Sequence, residues 1–134
     1  MGVLIDSSIW IQAERTLSAL PTLLAGRNEE EAFISVVTAS ELLHGIHRAK
    51  NAAIRAHRLA FVEAILSALP ILRIDLATAR IHAELWAGLA QRGKMIGVHD
   101  SWLAATCLAH GLHLVTGNSR EFKRVPGLEI EQWI

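Results

Sequence analysis

Three carboxylates and one polar cluster stand in this 134-residue chain where chemistry is possible. Asp6 follows the apolar run VLI (3–5) directly, and Glu41 comes shortly after FISVV (33–37), in TASE. Asp100 opens the apolar stretch DSWLAATCLAH, and beyond LHLVT (112–116) the segment GNSREF carries Asn118 and Glu121 three apart. Each has a plain structural reading. Asp and Asn are good helix N-caps, and Thr38 with Glu41 has the spacing of a capping box. As a set they are harder to dismiss, because the chain holds only three aspartates and two of them occupy these positions. Asp100, Leu103, Ala104, Cys107 and Leu108 recur at helical spacing, which puts the carboxylate on the face that must bury itself. Carboxylates about 4 Å apart repel by about 4 kcal/mol per pair at an effective dielectric of about 20, so convergence calls for a cation or a shared proton. With oxygen ligands alone, the expected cation is Mg²⁺ or Mn²⁺.

The elements that must position these groups follow from the apolar pattern. VLI, FISVV, PILRI (70–74) and LHLVT read as strands, and LEIEQW (128–133) alternates like an edge strand. Helical periodicity covers 38–50, 52–69, 76–92 and 100–110, and more weakly 7–26; Glu29, Glu30 and Glu31 are expected to end a helical region in solvent. Continuous apolar strands separated by helices predict a parallel sheet covered on both faces, an α/β sandwich. In such sheets ligands bind beyond the carboxyl ends of the strands. The pattern places a carboxylate or amide after the first, second and last parallel strands and at the start of a buried helix.

Composition narrows the class. The length is that of a single domain, 1–134, able to bury a core without staples. Thirteen basic residues balance thirteen acidic ones and 51% of residues are hydrophobic, which excludes a disordered tail and a globally basic nucleic-acid binder. The lone Cys107, inside an apolar helical run, reads as core packing in a reducing compartment. No run is long enough to span a bilayer and MGVLIDSS is no signal peptide, so a soluble, cytoplasmic protein is expected.

Competing motifs carry less. His44 and His47 share a helix face, but thiolate partners are absent and no H-E-x-x-H pattern occurs, which disfavours zinc. RGKMIG lacks the spacing of a phosphate loop. Arg48, Lys50, Arg55 and Arg58 read as a solvated helix face, whereas Arg92, Lys94, Arg120, Lys123 and Arg124 flank the suspected pocket and are candidates for binding phosphates. Trp10, Trp86, Trp102 and Trp133 read as core or interface residues, and Trp102 lies off the Leu103/Ala104/Cys107 stripe, as an interface residue would.

The stretches LIDSSIWI, SVVTASELLHG and IGVHDSWLAATCLAHGLHLVTGNSREFKRVPGLEIEQW, in this order and spacing, resemble the PIN-domain ribonucleases, and among them the VapC-type toxins of toxin–antitoxin pairs. The resemblance covers nearly the whole chain. It implies a three-layer α/β/α sandwich with a mainly parallel sheet, and an acidic pocket that binds Mg²⁺ or Mn²⁺ and hydrolyses RNA with a water activated by the ion. By matching positions, Asp6, Glu41 and Asp100 inherit the metal-binding roles, with Asn118 and Glu121 as supporting groups. His99 departs from the Asn that many relatives carry before the aspartate. The resemblance also implies a homodimer, silenced in a heterotetramer or larger complex by a separate VapB-type antitoxin whose extended tail enters a groove near the pocket. The alternative is a catalytically silent PIN-like module that binds RNA or protein, though three converging carboxylates favour the enzyme. A receiver-type phosphoacceptor domain is a weaker third, lacking the adjacent acidic pair and a suitably placed Lys.

Overall fold

The computed structural model describes residues 2–16 and 31–133. Strand β1 (Val3–Ile5) leads into helix α1 (Ser7–Arg15); β2 (Ala32–Ser35) leads into α2 (Val36–His47), followed by α3 (Ala52–Ala68) and β3 (Ile71–Leu72). Then come α4 (Leu76–Gln91), α5 (Val98–His110), β4 (His113–Val115), the short α6 (Ser119–Phe122) and β5 (Ile130–Glu131). The five strands lie in the order β3-β2-β1-β4-β5, and every pairing is parallel. The alternating strand at the C-terminal end is therefore a parallel edge, not an exception to a mainly parallel sheet.

Strand alternation builds the three layers, since successive side chains leave a strand on opposite faces. Val3 and Ile5 point to one face, where Ile9 and Trp10 of α1, Leu42 and Ile46 of α2, and Val62 and Ile65 of α3 cover them. Leu4 points to the other, against Leu89 of α4, Leu103, Ala104 and Cys107 of α5, and Phe122 of α6. Cys107 is buried there as a packing residue, and burial pushes its thiol up out of the reactive range. Gly111, at φ +65°, ends α5 in the left-handed region and lets the chain enter β4 two residues later.

Several boundaries differ from the expected ones. FISVV is not all strand. Ser35 accepts a hydrogen bond from the Val37 N–H at 3.0 Å and caps α2, so Val36 and Val37 form its first turn despite their β-branched side chains. PILRI and LEIEQW contribute only two strand residues each. The helical reading of 7–26 holds for Ser7–Arg15, and the rest of it, with Glu29 and Glu30, lies outside the described residues; Glu31 is exposed. Trp102 does not stand free. It stacks on His82 with ring centroids 3.6 Å apart and planes 7° apart, and Trp86 stacks on the same imidazole at 5.5 Å, which locks α4 to α5.

Candidate active site

The chain runs from β1 outward to β2 and β3, then returns to β4 on the other side of β1. The crevice between the carboxyl ends of β1 and β4 is thus the point where the strand order reverses, the usual ligand site of an open parallel sheet. Asp6 sits at one lip, directly after β1, with its backbone N–H donating to the Val115 carbonyl at 3.0 Å. It does cap α1, accepting from the Ser8 N–H at 3.2 Å. It also does much more. Ser7 Oγ donates to Asp6 Oδ1 at 3.2 Å, Ser8 Oγ to Oδ2 at 3.1 Å, and the buried Thr116 hydroxyl, from the other lip, donates to Oδ2. A simple cap needs none of these three hydroxyls.

Glu41 reaches the same place from α2. Because Ser35 is the cap, Thr38 and Glu41 do not form a capping box, and Glu41 lies in the second turn with its side chain free to face the crevice. Ser7 Oγ also lies 3.4 Å from Glu41 Oε2, so one hydroxyl stands between the two carboxylates. Burial raises the Glu41 carboxyl above its ordinary range and Asp6 adds to this, while His99, with Nδ1 3.8 Å from Oε1, and Ser7 oppose it.

Asp100 is not a cap. Helix α5 starts at Val98 behind Gly97, which offers no side chain, and Asp100 is its third residue. Its carboxyl is pushed up to about 7, first by burial, then by a hydrogen bond with Glu121 and by the charges of Asp6, Glu121 and Glu41. Both carboxylates converge above Gly97, where a Cβ would stand 3.8 Å from Asp100 Oδ2 and 4.0 Å from Glu121 Oε2. By contrast the third aspartate, Asp75, is a plain cap of α4, accepting from Thr78 N–H at 2.9 Å and Thr78 Oγ at 2.8 Å.

The structure therefore brings Asp6, Glu41, Asp100 and Glu121 together. Asn118 holds the N-cap position of α6 without a side-chain capping bond; its backbone N–H donates to Thr116 Oγ at 2.9 Å, and its side chain stands exposed at the rim. Of the basic residues expected to flank the site, Arg124 is tied to the Met95 carbonyl at 2.7 Å. Ser7, Ser8 and Thr116 escaped the sequence reading, although the doubled serine after Asp6 and a Thr ending an apolar strand were visible signals. Among the described residues no three Asp, Glu, His or Cys side chains are gathered into a ready-made metal cage. The arrangement still fits a hydrated hard cation: the converging donors are oxygens, the carboxylates load negative charge onto one another, and Mg²⁺ is commonly held by one or two carboxylates with several waters retained.

Known proteins are similar to this chain in fold and in sequence. The PIN domain family matches residues 3–128. Ribonuclease VapC of Rickettsia bellii is 34% identical over 130 residues, covering 97% of this chain and 95% of that protein. The tRNA(fMet)-specific endonuclease VapC of Shigella flexneri is 36% identical over 106 residues, 79% of this chain and 78% of its own. Among solved structures, VapBC2 from Rickettsia felis bound to a promoter DNA fragment matches with a TM-score of 0.87 at 27% identity, over 100% of both chains. DNA-bound VapBC from Salmonella typhimurium matches at 0.86 and 29% identity, over 100% of this chain and 99% of that one. The parallel three-layer sandwich is the architecture these matches share with the chain. The chain belongs to the PIN-domain family and, within it, to the VapC-type ribonuclease toxins. Nucleases of this kind are generally dependent on a divalent metal. No helix among the described residues is long and apolar enough to cross a membrane.

Proposed function

We propose that the chain is the toxin of a type II toxin–antitoxin pair, an endoribonuclease that hydrolyses RNA phosphodiesters at the cluster of Asp6, Glu41, Asp100 and Glu121 with Mg²⁺ or Mn²⁺. The observation that carries this is the convergence of Asp6, Glu41, Asp100 and Glu121 beyond the ends of β1 and β4, with Ser7 between the first two and the last two meeting above Gly97, a concentration of charge that helix capping does not require. A bound divalent cation supplies an activated, oriented water and offsets charge on the transferring phosphate. Asp6 and Asp100 are its principal ligands, directly or through water, and Glu41 is a ligand or positions the water. Ser7, Ser8 and Thr116 hold the Asp6 carboxylate at a fixed angle. Glu121 holds Asp100, and Asn118 supports from the rim. In-line attack by water on the phosphorus, with the P–O3′ bond breaking and the 3′-oxygen taking a proton, would leave a 5′-phosphate and a 3′-hydroxyl.

The partners follow from the relatives. RNA is the substrate class that the relatives' names state, and the VapBC complexes supply the precedent for a VapB-type antitoxin. A homodimer, a larger assembly with the antitoxin, and a cytoplasmic location complete the proposal. The test is cleavage of a mixed RNA pool by antitoxin-free protein, with and without EDTA. Cleavage abolished by EDTA and restored by Mg²⁺ or Mn²⁺ is expected. RNA binding with no cleavage in either metal would instead identify a silent binding module.

A further inference from the structure

Helix α1 carries a polar stripe that starts at Ser8, beside Asp6, and continues past the hydrolytic cluster. Ser8, Gln12 and Arg15 fall at i, i+4 and i+7 and so share one face, while Ile9, Trp10 and Ala13 are buried on the opposite one. The stripe forms one wall of an open cleft of about 480 Å³, lined by Ser8, Ile11, Gln12, Arg15, Gly117 and Asn118. The cleft adjoins the acidic cluster through Ser8, whose Oγ donates to Asp6 and accepts from the Gly117 N–H at 3.0 Å. It runs about 10 Å along the helix from Ser8 to Arg15, a step or two of an extended nucleic-acid strand. Arg15 is exposed at its far end. Glu14 beside it is taken by Arg58 at 3.3 Å, and among the described residues no carboxylate pairs with Arg15. Gly117 and Asn118 keep the facing wall low and polar, and the Asn118 side chain makes no capping bond.

We propose that this cleft is a subsite for the sugar–phosphate backbone of the RNA strand flanking the cut, with Arg15 on a phosphate and the Gln12 and Asn118 amides on neighbouring phosphate or sugar oxygens. The inference rests on the ribonuclease reading. With equal numbers of acidic and basic residues, the chain has no global attraction for a polyanion, so affinity comes from local cations, and a guanidinium fork matches phosphate geometry. A carboxylate-rich segment of a partner protein could also seat on Arg15, but the amides and the link to Asp6 through Ser8 favour a strand whose scissile phosphate lies at the acidic cluster.

The experiment compares wild type, Arg15→Gln, Gln12→Ala and the control Arg55→Gln, which changes an exposed arginine on α3. Each is assayed for cleavage of oligoribonucleotides extended by increasing lengths on either side of the cut, for RNA binding by fluorescence anisotropy in EDTA, and for melting temperature. Arg15→Gln is expected to raise KM several-fold, by more as the oligomer lengthens on one side only, and to reduce the logarithmic salt slope of binding by about 0.7, one single-strand phosphate contact. Gln12→Ala should move KM in the same direction, and the control should move neither quantity. Unchanged KM and salt slope in Arg15→Gln, with unchanged melting, would overturn the subsite. If wild type cuts no RNA at all, the ribonuclease reading fails by itself, and the anisotropy arm still decides whether the cleft holds a strand.

Discussion

Asp100 and Glu121 meet carboxyl to carboxyl above Gly97, in a contact that favours the protonated form of Asp100. Burial and this contact raise the Asp100 carboxyl to about 7. Between its unfolded value, about 4, and that folded one, the native state binds the extra proton. The stabilisation is therefore complete below about pH 4 and is lost as the pH rises through about 7. Cation-free protein should show a melting temperature that falls between about pH 5 and pH 8, and Asp100→Asn, which cannot ionise, should flatten that fall. A slope unchanged by the substitution would place the proton elsewhere.

If Asp100 is a metal ligand, proton and cation compete for its carboxyl. Cleavage should accordingly rise with pH through about 7, and raising the Mg²⁺ concentration should move the midpoint downward. Glu121→Gln removes one of the charges that hold the proton on Asp100, so its midpoint should lie below that of wild type at equal Mg²⁺. The measurement is a pH–rate profile for both proteins at two metal concentrations. A midpoint indifferent to both metal and Glu121 would separate the titration from the site.

The hydroxyls around Asp6 should matter as groups that orient a ligand. Thr116 is fully buried and donates to Asp6 Oδ2, and Ser7 bridges Asp6 and Glu41. Thr116→Val keeps the shape and removes the donor. It should cost about 10- to 100-fold in cleavage or in metal affinity, the usual range for outer-shell partners. Ser7→Ala should act in the same direction, and metal titrations of the cleavage rate would show whether the loss lies in affinity or turnover.

Much of this architecture was legible because parallel strands buried on both faces leave continuous apolar runs and the helices between them keep their period. The errors have local causes. Val36 and Val37 are as apolar as the strand before them, and only the Ser35 hydroxyl, bonding the Val37 N–H, shows where the helix begins. That two-residue shift turned Glu41 from half of a supposed capping box into a free side chain on the second turn. A similar shift moved Asp100 from the edge of α5 to its third position. Ser7, Ser8 and Thr116 were passed over because single hydroxyls are common and their convergence on Asp6 depends on β1 lying beside β4, a tertiary fact. Arg15 was hidden by a helical reading that ran on to residue 26, past the end of the described α1.

Two aspartates now offer a matched comparison of capping with metal binding. Asp75 sits in solvent at the start of α4 and its bonds to Thr78 hold its carboxyl below the ordinary range, whereas Asp100 lies inside α5 with its carboxyl raised. Asp75→Ala should lower the melting temperature with or without Mg²⁺, as a lost cap does, and leave cleavage intact. Asp100→Asn should do the reverse. Without metal, near pH 8, relief of repulsion from Asp6, Glu41 and Glu121 should leave its melting temperature equal to or above that of wild type. With Mg²⁺, wild type should gain stability through binding to the folded state, the variant should gain much less, and cleavage should be lost. Paired melts with and without metal, beside one RNA cleavage assay, decide the matter. An Asp100→Asn protein that melts like wild type in both conditions and still cuts RNA would remove Asp100 from the metal site.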